Sequence, residues 1–288
     1  MAIGIHIHDR DISVLVDRIR TSLPGEKVYT ELNHPEICNT ISCLLCWGHY
    51  PDLFSRFPQL SWVSSLGAGV DHILQAPSFR ESIMVTRIVD PSLTDMMSDY
   101  IINAIHKARD LISYSPTIGI LGLGNIGRGV AEDLRQIGYQ VIGYSRSVKD
   151  LPYPQIPYGN LTEFLSKVDI LICLLPLTAD TYHILNDKTI MQLRPGAYII
   201  NVGRHEHIDY GAMLEAIDSG HLAGACLDVY KNDDPHYKEI NSSVNITVTP
   251  HIASITDQSV AAEQFVLNYH RWKMKDSLVH LVDIKRGY

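Results

Sequence analysis

Long apolar runs are missing from this chain. The longest, ILICLLPL at 170–177, is far too short to cross a bilayer. The opening MAIGIHIHDRD reaches charge before any apolar stretch builds up, so no secretory leader is read there. A cytoplasmic protein with no membrane partner is expected. Positive charge is also in deficit: 24 Lys and Arg stand against 32 Asp and Glu, a formal net charge of −8. That balance excludes a broad nucleic-acid surface, which needs clustered Lys and Arg. It leaves room for a local cationic site that takes an anionic ligand. Cysteine is scarce, five residues at irregular spacing, which excludes a disulfide framework. Cys43 and Cys46 form a C-x-x-C, but inside ISCLLCW, which reads as a buried strand. Redox or zinc chemistry needs exposed thiolates or a second ligand pair. The HEH triplet at 205–207 is no better a metal site, because adjacent residues do not face one side of an element and no carboxylate cluster follows. No metal is expected. Repeats and low-complexity tracts are absent as well.

What is present is an ordinary globular composition, 45% hydrophobic and 19% charged, over 288 residues, enough for two domains. Short β-rich runs alternate with helical stretches, the pattern of a parallel α/β architecture. IGIHI, ISCLLCW, SWVSSL and IMVTRI read as strands, with a helix-like stretch starting at Asp11. Residues 90–110 read as a long helix with Met97, Ile101, Ile105 and Ala108 at helical spacing and Ser92 or Thr94 as cap. A second series follows. TIGILGLG runs into a glycine turn, and NIGRGVAEDLRQIG is an amphipathic helix stopped by Gly138. QVIGYS, DILICLLPL, AYIINVG, LAGACLDVY and ITVTPHIAS are later strands, and a closing helix is expected over about 256–273. The expected fold class is α/β: two Rossmann-like, doubly wound parallel-sheet domains. One is discontinuous, 1–90 plus 256–288; the other spans 91–255.

GLGNIG supplies G-x-G-x-x-G between a strand and a helix, the context a dinucleotide site requires. Gly122 permits the tight turn, Gly124 lets backbone approach a pyrophosphate, and Gly127 lets helix and strand pack closely. The helix start at Asn125 and Ile126 turns N–H groups and a positive dipole end toward phosphates. Such folds carry an acid about 20 residues on, which grips the ribose hydroxyls of NAD. Here the sequence offers Ser145, Arg146 and Ser147. An acid would repel a 2′-phosphate, whereas a guanidinium fork suits its oxygens and the serines add hydroxyl donors. NADP(H) is therefore expected in preference to NAD(H).

Three more segments bring chemistry to strand ends, where doubly wound sheets bind ligands. NVGRHEHID carries Arg204, LDVYKNDDP carries Asp233 and Asp234, and TPHIAS carries His251. An Arg can hold a carboxylate and polarise a carbonyl beside it. A His can supply the proton that accompanies a hydride, and an acid can orient that His. The set suits carbonyl reduction.

These segments, together with SSLGAGVDHIL, RIVDPSLTDMMSDYI, LLPLTADT and the ending VDIKRGY, run in order along nearly the whole chain. The chain resembles the D-isomer-specific 2-hydroxyacid dehydrogenases, and among them the NADPH-dependent glyoxylate/hydroxypyruvate reductases. The resemblance implies that Arg204 binds substrate and His251 is the general acid/base. Its acid partner is a Glu in the family. Spacing from Asp228 selects Asp233, and the following Pro235 selects Asp234. Leu66, Gly67, Ala68 and Gly69 match the loop whose amides hold the substrate carboxylate, and Trp47 matches a pocket wall. Pro176 and Thr181 match the strip beside the adenosine half, Asp228 the acid near the nicotinamide amide, and Val202 and Gly203 complete the cofactor contacts. The expected substrate is a small 2-oxo or 2-hydroxy acid, with cleft closure excluding water, and the expected assembly is a homodimer.

Three departures stand out. His205 replaces the family's Gly after the Arg, Asp replaces Glu, and KARDLISYSPTIGIL runs from helix to strand without the family's extra aromatic stretch. They keep two alternatives open: an NADP-binding regulator without turnover, and a reductase of a bulkier 2-keto acid.

Overall fold

Runs that are apolar at every position become strands buried on both faces, as parallel sheets require. The computed structural model describes residues 1–8, 10–112 and 115–288. The chain divides into two compact units, Met1–Asp90 with Thr256–Tyr288, and Pro91–Ile255.

The first unit carries β1 (Ala2–His6), α1 (Ser13–Ser22), β2 (Val28–Tyr29), the short α2 (Pro35–Cys38), β3 (Ile41–Cys46), β4 (Trp62–Ser65), the short α3 (Asp71–Leu74) and β5 (Met84–Thr86). The order is β2-β1-β3-β4-β5, every pair parallel. β3 is buried at all positions, and burial pushes the Cys43 and Cys46 thiols up. Protonated thiols sealed in a strand suit packing rather than metal or redox work. The closing helix, Gln258–Met274, is capped by Asp257, whose carboxylate accepts from the amides of Ser259 and Val260. It stacks Phe265 on Trp62 at 4.8 Å. Its Gln264 exchanges two hydrogen bonds with the Val89 backbone, 3.2 and 2.7 Å. This is why the carboxyl end of the chain belongs to the first unit.

The second unit carries α4 (Pro91–Ala108), β6 (Thr117–Leu121), α5 (Asn125–Gln136), β7 (Gln140–Ser145), β8 (Gln155–Pro157), α6 (Leu161–Leu165), β9 (Ile170–Cys173), α7 (Asp187–Ile190), β10 (Ala197–Asn201), α8 (Tyr210–Asp218), β11 (Leu222–Leu227), α9 (Tyr237–Ser242) and β12 (Ile246–Val248). The order β12-β11-β10-β9-β6-β7-β8 is parallel throughout and reverses direction between β6 and β9, the topological switch point. α4 buries the expected Met97, Ile101, Ile105 and Ala108. Its start differs from expectation. The helix begins at Pro91, which suits a first position because it needs no N–H partner, so Ser92 and Thr94 lie inside the first turn. Thr94 instead meets α5 where Gly129 has no side chain; a Cβ there would overlap its methyl. The short joint between α4 and β6 includes Ser113 and Tyr114, which lie outside the described residues.

Candidate active site

Because every strand of the second unit is parallel, the segments that leave the strand ends gather along one edge. The glycine loop follows β6, Arg146 follows β7, Pro176 follows β9, Arg204 follows β10, Asp228 follows β11 and His251 follows β12.

The glycine loop has the geometry its composition demands. Gly122 has φ +103°, and a Cβ there would sit 2.7 Å from the Leu174 carbonyl oxygen. A Cβ on Gly127 would overlap the Gly122 carbonyl, while one on Gly124 would meet nothing within 4 Å. Two glycines are thus required by packing and the third faces open space. α5 starts at Asn125 without a side-chain cap, so Ile126 and its neighbours open a helix end suited to phosphate oxygens. Arg128, a position the glycine motif leaves unspecified, folds back on the loop: Nη2 donates to Asn125 Oδ1 at 3.1 Å and Nε to Gly124 O at 3.4 Å. This donor set fits a dinucleotide pyrophosphate.

Ser145, Arg146 and Ser147 follow, shaped by a residue the motif does not flag. Gln155 Nε2 donates to Ser145 Oγ at 2.7 Å and Ser147 O at 2.9 Å, and its Oε1 accepts from the Lys149 amide at 2.9 Å. Ser145 Oγ donates to Ser147 O at 2.9 Å. Arg146 Nη2 donates to Asp180 Oδ2 at 2.7 Å, both side chains largely exposed. After β9, the Thr181 hydroxyl donates to Pro176 O at 2.7 Å and accepts from the Thr178 amide at 2.8 Å. Thr181 therefore shapes the strip on which it was expected to lie.

The Arg204 segment is held by backbone bonds. Buried Asn201 accepts from the Gly203 amide at 3.1 Å and donates to Arg204 O at 2.8 Å. The Arg204 amide donates to His207 Nδ1 at 3.0 Å, and Arg204 Nη1 donates to Gly203 O at 2.7 Å. Since His207 Nδ1 accepts, Nε2 carries the proton and faces Pro176 O at 3.4 Å. His207, fully buried, thereby ties the β10 segment to the β9 segment. Gly203 is glycine because a Cβ would stand 2.8 Å from His207 Nδ1, and buried Val202 donates its amide to Cys173 O at 3.3 Å.

His205 and His207 do different work. His205 Nδ1 accepts from the Lys231 amide at 3.3 Å, and Nε2 lies 3.2 Å from Asp234 Oδ2. The same carboxylate accepts from Tyr230 Oη at 3.1 Å and the His236 amide at 2.8 Å. Glu206 pairs with Lys231 across the same gap. Asp234 is thus the hub of the loop after β11, while Asp233 is exposed. Among the described residues, no group of three or more His, Cys, Asp or Glu is arranged to hold a metal ion.

Asp228 is 1% exposed. Its Oδ1 accepts from Thr249 Oγ1 at 2.6 Å and the Ile252 amide at 2.8 Å, and its Oδ2 from the Ala253 amide at 2.8 Å. This carboxylate anchors the His251 segment. His251 itself is exposed, with φ +57°, and its amide donates to Asp228 O at 2.8 Å.

In the first unit, Trp47 lies against Gly67, where a Cβ would come within 2.5 Å of the indole. His72 meets the indole edge at 4.9 Å, and the Arg10 guanidinium lies 5.8 Å from its centre. The Leu66 amide donates to Cys46 O at 3.1 Å and the Gly67 amide to Ser65 Oγ at 3.1 Å. Ser65 Oγ in turn donates to Gly69 O at 2.8 Å. Two of the four loop amides expected to hold a substrate carboxylate are therefore committed inside the protein.

The family model for the D-isomer specific 2-hydroxyacid dehydrogenase NAD binding domain matches residues 94–253. The chain belongs to this family. Glyoxylate/hydroxypyruvate reductase A of Yersinia enterocolitica is 31% identical over 271 residues, 85% of this chain and 87% of that protein. Among solved structures, the NADPH-dependent glyoxylate/hydroxypyruvate reductase of Sinorhizobium meliloti, in complex with NADP and sulfate, is 30% identical. It matches with a TM-score of 0.87 over 100% of both chains. A D-isomer specific 2-hydroxyacid dehydrogenase of Xanthobacter autotrophicus, in complex with NADPH and MES, is 29% identical with a TM-score of 0.86. That match covers 100% of this chain and 99% of the other.

Proposed function

We propose that the chain is an NADPH-dependent reductase of small 2-oxo acids, glyoxylate or hydroxypyruvate first, yielding the D-2-hydroxy acid. The observation that carries this reading is the alignment of glycine loop, Arg146, Arg204 and His251 along one edge of a parallel sheet with a switch point. The named relatives support the substrate class and the cofactor. In this reading, residues 91–255 hold NADP(H) and the other unit serves the substrate.

Gly122, Gly124, Asn125, Ile126 and Gly127 cradle the pyrophosphate, and Ser145, Arg146 and Ser147 take the 2′-phosphate. Pro176, Thr181, Val202, Gly203 and Asp228 line the rest. NADPH held by these residues would supply the hydride for reduction of the keto carbon. Arg204 holds the substrate carboxylate and opposes the charge growing on the carbonyl oxygen. His251 donates the proton to that oxygen, so hydride and proton together turn C=O into CH–OH. Ala68 and Gly69 are the loop amides assigned to the carboxylate, since those of Leu66 and Gly67 are committed elsewhere. Trp47 serves as an apolar wall. Asp234 orients this machinery through the loop it gathers, in preference to exposed Asp233.

A homodimer and a cytoplasmic location belong to the same reading, supported by the family resemblance. Light scattering tests the first. Loss of NADPH absorbance with glyoxylate or hydroxypyruvate, run beside NADH, tests the activity. Arg204→Ala and His251→Asn should each lower turnover by about a hundredfold or more, to a residual rate that can still be measured, while NADPH binding survives. Binding without turnover in the unaltered protein would overturn the reductase reading.

A further inference from the structure

His251 needs explanation beyond its role as proton donor. Its φ of +57° is a conformation that a side chain with a Cβ adopts only when its surroundings impose it. The restraint comes from both sides. Asp228 O accepts the His251 amide at 2.8 Å, and the Asp228 carboxylate accepts the next two amides, Ile252 and Ala253, each at 2.8 Å. On the preceding side, Thr249 Oγ1 donates to Asp228 Oδ1 at 2.6 Å.

That donation fixes a longer chain. Thr249 Oγ1 has one proton and gives it to a carboxylate. It therefore accepts from its other partner, Tyr100 Oη, at 2.6 Å. The tyrosine proton being committed, the Cys226 thiol 3.3 Å away donates to Tyr100 Oη in turn. Burial holds both the Cys226 thiol and the Tyr100 phenol up, so both keep their protons. The sequence runs Cys226, Tyr100, Thr249, Asp228, and ends on the amides of Ile252 and Ala253, the two residues that follow His251. Hydrogen bonds in series, each polarising the next, are stronger in a buried setting than the same bonds in water. Ser254 Oγ donates to Leu93 O at 2.9 Å, a second tie between this segment and α4.

We propose that Tyr100, on α4, is a positioning residue for His251: through Thr249 and Asp228 its hydroxyl holds the strained backbone that aims the imidazole. The inference rests on the reading of His251 as proton donor. Tyr100 is assigned no contact with substrate or reacting atoms; its contribution passes through the loop.

The test is Tyr100→Phe, which removes one oxygen and keeps the ring, made alone and with His251→Asn. Tyr100→Phe should lower kcat about tenfold, the order expected for one hydrogen bond to a charged network. NADPH affinity, read by fluorescence titration, should stay within about twofold. The solvent deuterium isotope effect on kcat should rise as proton delivery becomes slower. In the His251→Asn background, Tyr100→Phe should cost nothing further. Thr249→Val should reproduce the loss and Thr249→Ser recover most of it. Equal losses with and without His251, or NADPH affinity falling in step with kcat, would overturn the inference and leave Tyr100 a packing residue. Wild-type kcat in Tyr100→Phe with only the residual rate in His251→Asn would overturn it alone. Full turnover in His251→Asn would overturn the proton-donor reading, and the inference with it.

Discussion

The imidazole of His205 lies 3.2 Å from the carboxylate of Asp234 and accepts the Lys231 amide on its other nitrogen. Nε2 therefore carries the proton, and the neutral ring joins the loop after β10 to the loop after β11. Of the two acids that spacing and the following proline left open, Asp234 is the one that contacts this imidazole. Asp234→Asn should lower kcat by about tenfold, because a bond accepted by an ionised carboxylate contributes about 1.5–3 kcal/mol. Asp233→Asn, on an exposed side chain, should stay within about twofold. Steady-state kinetics of the two variants decide between the acids. Equal losses would mean that Asp233 takes part, against the geometry.

Arg146 and Asp180 form an exposed pair at 2.7 Å. An exposed pair is worth about 0–1 kcal/mol, so a phosphate dianion can displace the carboxylate. Arg146→Ala should raise KM for NADPH by about tenfold or more, with the NADH value nearly unchanged. Asp180→Asn removes the competing anion and should tighten NADPH by about two- to fivefold. Equal changes for both cofactors would separate Arg146 from the 2′-phosphate.

Sequence and structure agree where one residue type answers one local demand. The fully apolar β9, the helix stripe of Met97, Ile101, Ile105 and Ala108, and the glycine turn at Gly122 are of that kind. β2 is not legible because two residues carry no period, nor is β8, because QIP is short and ends in proline. Gln155, Asn201, His207 and Tyr100 stay hidden for another reason. Each acts through hydrogen bonds to backbone or to a neighbour distant in sequence, and no spacing rule flags a polar residue whose partner lies on another element. His207 stands inside HEH, and Asn201 and Thr249 inside the strand-end motifs. The residues are visible there, but their direction, toward loop geometry rather than ligand, is not.

The three glycines of the loop should separate in their effects. Gly127→Ala drives a Cβ into the Gly122 carbonyl, a rigid backbone atom, and should cost about 3 kcal/mol or prevent folding. Gly124→Ala meets no atom within 4 Å, so the melting temperature should move little. NADPH binding should nevertheless fall at least about tenfold, as the methyl enters the space assigned to the pyrophosphate. Thermal melts paired with NADPH titration check both. A Gly124→Ala protein that binds normally would remove the pyrophosphate from this loop.

His6, buried at the end of β1, lies 3.1 Å from His8 and meets Tyr50 edge-on at 4.4 Å. Burial, then the neighbouring His8 and Arg56 charges, lower its pKa from 6.5 to about 4. The folded protein therefore keeps His6 neutral while the unfolded chain takes up a proton below pH 6.5. Its contribution to stability is fully present above pH 6.5 and is lost as pH falls toward about 4. A tenfold difference in proton affinity between the folded and unfolded chains is worth about 1.4 kcal/mol, and solvent at the ring edge reduces the total, so a loss of about 1–3 kcal/mol is expected. Chemical denaturation of the wild-type protein and His6→Asn between about pH 7.5 and 4.5 measures it. The variant should show a flatter decline across that window, and parallel declines would assign the acid sensitivity to other groups.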